Sequence, residues 1–207
     1  MSATLRILLA LALGVVVVPR VTRAEVVTRK SSESDDDFMT RALGGSAELA
    51  QKVVRSTALV NGKVTLIGFV AGEDGALVGH LLVETPPGPY MHVQFPSCEV
   101  DGDWPNLMAV FFARTGKDGG RDLAVLCRWD VNGVEGDADG AFYSAEFYRL
   151  KSHGSDMVVE PVIELNAKFK TADLIVDKPG KVVWIEKAKF KTVAEVKRLL
   201  TKMGLHQ

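Results

Sequence analysis

The 207-residue chain holds few of the residues that announce a chemistry. Cysteine occurs twice, tyrosine and tryptophan three times each, and histidine four times. Two cysteines cannot make the bridge-dense frame of a small secreted scaffold. There is no CxxC pair, no nucleophile elbow, no glycine-rich phosphate loop and no paired-histidine metalloprotease motif. A net charge of -1 leaves no general basic excess, so the reading includes no nucleic-acid partner. No Asn-x-Ser/Thr site is present, which suits a bacterial exported protein.

One apolar run stands out. Ile7–Val18 is unbroken, Arg6 precedes it, and Thr22-Arg23-Ala24 follows with small residues at its first and third positions. This is the pattern of a secretory signal peptide over residues 1–24. The run is too short for a spanning helix, which needs about 20 apolar residues. No membrane span is expected after its removal, and the mature protein is expected in the periplasm or secreted. Cys98 and Cys127 then face an oxidising compartment and are expected to form one disulfide, the alternative being two separate buried thiols.

Residues 25–45 read as a flexible leader, because Thr28–Asp37 is polar and without apolar period. Phe38–Leu43 allows one helical turn, and Ser46 is placed to cap a helix through Arg55. Residues 46–207 read as a single domain. From Thr57 the pattern is of strands. Asn61-Gly62 predicts a hairpin between Ala58–Val60 and Val64–Val70. Leu77–Glu84, Met91–Phe95, Phe142–Leu150, Val158–Leu165 and Val182–Ile185 are further strands. Leu107–Ala113 and Leu123–Trp129 are apolar enough to be buried on both faces. Thr192 and Glu195 form a capping box for a closing helix with Val193, Val196, Leu199, Leu200 and Met203 on one side. The expected fold class is α+β, a mostly antiparallel sheet covered by terminal helices.

Four groups of residues are candidate sites. In residues 135–146, Glu135, Asp137, Asp139 and Glu146 take positions one, three, five and twelve of a calcium-loop pattern, with Gly140 at six. Calcium needs such hard oxygens. Glu replaces the usual Asp at the first position and no amphipathic helix precedes, so the alternative to a lone Ca²⁺ loop is a solvated Gly/Asp turn. The second group follows from folding Leu77–Phe95 about Pro87. Leu82 then faces His92, and His80 and Glu84 are diagonal neighbours on a wet face, a possible zinc set against a plain exposed surface. The third is Lys187, Lys189 and Lys191, alternating as on one strand face. They suit an anionic partner or the protection of a sheet edge. Ten basic residues against four acidic over 166–207, and twelve against twenty-two over 25–165, make this end the basic one. Ala167–Thr171 (AKFKT) recurs as Ala188–Thr192. The fourth is the pair Cys98 and Cys127.

Lys117–Val125 (KDGGRDLAV) resembles the end of the calcium loop in FG-GAP and VCBS-type β repeats. Arg114 and Gly116 stand where the acids completing the cage would be. The resemblance implies a strand–loop–strand unit without its metal.

The sequence therefore reads as an exported, non-catalytic binding or accessory domain whose partner is another envelope or secreted protein or an anionic polymer. The alternatives are a hydrolase or glycan-acting enzyme with a dispersed site, and a calcium-stabilised β module.

Overall fold

The computed structural model describes residues 25–60, 62–85, 88–100, 103–116, 120–134, 138–153, 156–178 and 181–205; the expected signal peptide lies outside them. The fold is α+β, with antiparallel strands in two sheets. The first sheet comprises β1 (Glu25–Val27), β2 (Val54–Val60), β3 (Lys63–Ala71), β4 (Leu77–Glu84) and β5 (Tyr90–Ser97), in the order β1-β5-β4-β3-β2. The second comprises β6 (Asn106–Ala113), β7 (Asp122–Val134), β8 (Ala138–His153), β9 (Asp156–Pro161), β10 (Lys170–Lys178) and β11 (Lys181–Glu186). Its order is β11-β10-β8-β7-β6, and β9 pairs the far half of β8.

Period-two alternation decides what each sheet buries. Ile67, Phe69, Leu81, Val83, Val93 and Phe95 of the first sheet meet Leu123, Val125, Cys127, Trp129 and Tyr148 of the second. This is the intersheet core. The other face of the second sheet buries Ala124, Leu126, Tyr143, Ala145 and Phe147 beneath the C-terminal elements. Strand β7 is thus buried on both faces, as its apolar run predicts, but β6 is not. It ends the sheet order, and Met108 is 47% exposed.

The first hairpin turns where Asn-Gly predicts it, between Val60 and Lys63, with Gly62 at φ +79°. The predicted strand over Val158–Leu165 stops at Pro161. Helix α2 (Ile163–Asn166) follows, and Asn166 Oδ1 accepts from Phe147 N at 2.8 Å. The closing helix α3 (Val193–Lys202) carries the predicted capping box and buries Val196 and Leu200. Met203 falls outside its buried face, 43% exposed.

The largest departure from the sequence reading is at the N-terminal end. The expected flexible leader is ordered structure. Glu25–Val27 pairs with β5, and Asp35–Ala42 is helix α1. Ser34 caps it, accepting from Asp37 N at 3.1 Å, and three aspartates sit at its positive end. Phe38 and Met39 are fully buried on Leu66, Leu82 and Tyr90. Gly68 makes room, because a Cβ there would meet Met39 at 2.9 Å. Arg29 and Arg41 lie over the Phe38 ring at 5.7 and 5.3 Å and pair with Asp35 and Glu33, both at 2.7 Å. The polar stretch is ordered by ion pairs within itself and by Arg55, which reaches Asp35 from further along the chain.

The helix expected from Ser46 to Arg55 does not form. Leu49 bridges Val70, Ala50 N donates to Phe69 O at 2.8 Å, and Val53 N donates to Asp36 Oδ1 at 2.8 Å. Sheet-edge partners claim the backbone before a helix can.

Two outcomes test this architecture. Phe38→Ala should destabilise the protein by about 3 kcal/mol or more, as a buried aromatic does, whereas a loose leader would leave the urea midpoint unchanged. Linking Cys98 to Cys127 closes a 29-residue separation. Oxidised protein should therefore exceed reduced protein by about 3–4 kcal/mol in the same titration.

Candidate functional site

The two sheets are joined by side chains where β5 ends. Cys98 directly follows β5 and adopts φ +43°, a left-handed value rare for a residue other than glycine. Cys98 and Cys127 lie at disulfide distance, with Cα atoms 6.3 Å apart. Cys98 N donates to Glu146 Oε2 at 3.1 Å, and Tyr148 OH donates to the same oxygen. Burial, then the Glu146 charge, pushes the Tyr148 hydroxyl far above its usual range. Glu146 therefore crosses from the second sheet to the first, with one oxygen committed to the wall.

Beside this junction lies a cavity of about 340 Å³. Trp129, Phe142, Ser144 and Glu146 line it from the second sheet, and Glu99 and Val100 from the segment after Cys98. Lys170 is at its rim, opposite Ser144 in the β8–β10 register. Trp129 Nε1 donates to Glu99 O at 3.0 Å and holds that segment in place. Ser144 is 4% exposed, and its Oγ makes no hydrogen bond among the described residues. A buried hydroxyl without a partner is costly and rare. Glu99, Ser144 and Lys170 were not among the residues singled out by sequence. The one available signal was Phe142-x-Ser144-x-Glu146-x-Tyr148, polar groups on an otherwise apolar strand face.

The calcium-loop reading requires correction. Glu135 and Asp137 lie outside the described residues. From Ala138 onward the chain is strand β8, paired with both β7 and β10. Asp139 is opposite Ile175, and Glu146 lies seven residues further along the same strand, about 23 Å away by strand rise. Extended pairing, not loop closure, claims this segment, and Glu146 belongs to the intersheet cavity.

The histidine hairpin has the expected register: Leu82 faces His92, and His80 faces Gln94. The face is not wet, however. Leu82 is fully buried and His80 is 6% exposed, in the layer under α1. The rings stack with centroids 5.2 Å apart, and His80 Nδ1 lies 3.0 Å from His92 Nε2. At that distance one nitrogen donates and the other accepts. Glu84 faces Tyr90 and does not join the pair; the carboxylate opposite His92 is Glu25. Among the described residues no three His, Cys, Asp or Glu side chains gather as a metal site.

The lysines are not a strand face either. β11 ends at Glu186, and Lys187, Lys189 and Lys191 lie in the segment before α3. They are exposed, while Phe190 between them is buried. The two AKFKT copies lie together. Phe169 and Phe190 rings are 5.7 Å apart, and Lys189 N donates to Thr171 Oγ1 at 3.0 Å. Lys191 pairs with Asp173, whose carboxyl is held below its usual range chiefly by that lysine. Lys168, Lys187 and Lys189 are exposed without an ion pair among the described residues.

Residues 117–119 of the stretch resembling a calcium repeat lie outside the described residues. Asp122 within it is buried and takes two hydrogen bonds from Arg149, at 2.9 and 3.0 Å, and one from Thr115. A guanidinium neutralises this carboxylate.

No helix among the described residues is long and apolar enough to cross a membrane. Compared with family models, curated proteins and solved structures, the chain matches none.

The histidine pair yields a pH prediction. Burial, then the neighbouring His92, lowers His80 from its ordinary 6.5 to about 4. His92 is lowered by burial, with Glu25 opposing. The unfolded chain thus takes up a proton that folded His80 refuses. Stability should fall by up to about 3 kcal/mol as pH drops through this window, with no further loss from His80 below it. Urea midpoints across the window check this. His80→Gln should flatten the slope, and an unaltered slope contradicts the assignment.

Proposed function

We propose that the protein is an exported binding domain, stapled by a Cys98–Cys127 disulfide, that engages an anionic partner through lysines at its C-terminal end. Export follows from the charged, apolar and small-residue order of residues 1–24. Cysteines at disulfide distance between the two sheets support an oxidising destination.

One observation carries the binding reading: the paired AKFKT copies bury Phe169 and Phe190 together and leave Lys168, Lys187 and Lys189 exposed around them. Edge protection does not account for Lys187 and Lys189, because they lie beyond the last strand. Asp173 pairs with Lys191 and its charge also acts on Lys187, but clustered lysines that outnumber their carboxylate partners raise the potential outside them and attract polyanions. The partner is accordingly an anionic envelope polymer or an acidic face of a secreted protein.

Heparin–agarose at low salt serves as a polyanion probe. The chain lacking residues 1–24, although its net charge is negative, should be retained and should elute with added salt. Lys187→Ala/Lys189→Ala should elute at clearly lower salt with unchanged thermal stability. Passage of the parent protein straight through the column contradicts the proposal.

A further inference from the structure

The cavity beside Cys98 is separate in chemistry from the lysine face. Its charges are of both signs and do not neutralise one another. Glu146 lies two residues from Ser144 on β8, and Lys170 is directly across from Ser144 on β10. Glu146 and Lys170 are therefore diagonal neighbours, about 7–8 Å apart between strands. An ion pair between them would be expected at this spacing. It does not form, because Cys98 N and Tyr148 OH hold Glu146 Oε2 against the intersheet wall. Lys170 stays exposed without an ion pair among the described residues, and Ser144 Oγ lies buried between the two charges without a hydrogen bond. Trp129 and Phe142 supply the apolar wall.

We infer that this cavity binds a small zwitterion, a free amino acid or its close relative. Its ammonium donates to Glu146 Oε1 and to Ser144 Oγ. Its carboxylate meets the Lys170 ammonium, and its side chain lies against Trp129 and Phe142. The spacing fits a molecule whose charges are separated by a few bonds. The volume, about 340 Å³, lies within the small-molecule range and admits one such residue. A ligand in this position satisfies Ser144 Oγ, a buried hydroxyl that finds no partner among the described residues.

The test is titration of the oxidised protein with free L-amino acids one at a time, followed by amide NMR. The best of them is then compared with its decarboxylated amine and its deaminated acid. The zwitterion should shift the amides of Ser144, Glu146 and Lys170, and each half-molecule should bind at least about tenfold more weakly. Lys170→Ala, a rim substitution that spares the intersheet core, should erase the preference for the amino acid over its amine. Ser144→Ala should weaken both equally. The inference is overturned if no amino acid shifts these signals, or if the amine binds as well as its parent. Retention on heparin is read separately, so failure of one proposal leaves the other standing.

Discussion

Two extended sheets in face-to-face contact need something to fix their relative position, because apolar packing alone is not directional. Here that constraint is concentrated at Cys98. Its sulfur approaches Cys127 of the second sheet, and its backbone N–H reaches Glu146 of the same sheet. Its own φ of +43° bends the chain away from β5 at that point. A single residue thus sets covalent-range proximity, a charged hydrogen bond and the exit direction of the strand. Phe95, three residues earlier, packs its ring 4.8 Å from Tyr148, which also donates to Glu146.

The outer layers depend on that registration. With the inner faces occupied, the remaining face of each sheet needs its own cover. The first is covered by α1 through Phe38 and Met39, the second by Phe169, Phe190 and α3. The covers differ in kind. α1 is held by two apolar residues within a ring of ion pairs, whereas α3 presents a regular apolar stripe. The lysines are exposed because Phe190, their neighbour, is required inward to complete the second cover. The cavity is lined by Glu99 and Val100, where the chain has left β5, and by Ser144 and Glu146 of β8.

Local rules made the strands legible. The register that places Leu82 against His92 follows from symmetric folding about the proline-rich turn, and the cap of α3 follows from Thr192 and Glu195. Whatever depended on distant partners was hidden. α1 looked like solvated chain because ion pairs rather than an apolar period order it: Arg29 and Arg55 hold Asp35, and Arg55 lies beyond a stretch whose own helical period suggested something else. Ser46–Arg55 lost its helix to Phe69 and Val70. The Asp/Gly spacing before Glu146 resembled a metal loop, but pairing with strands on both sides outweighed it. The cavity could not be read because Glu99, Ser144 and Lys170 come from three segments with no characteristic spacing. The cysteine pair was the exception, since two cysteines permit only one intramolecular bridge.

The central claim is that this sandwich matures outside the cytosol and is closed by Cys98 and Cys127. Intact-mass and peptide mapping of the protein purified from its own cells, with thiols blocked at lysis, measures both parts together. The account predicts a chain beginning at Glu25, two hydrogens lighter than its reduced form, with the Cys98 and Cys127 peptides joined. A chain retaining Met1 with both thiols blocked by the reagent would contradict it.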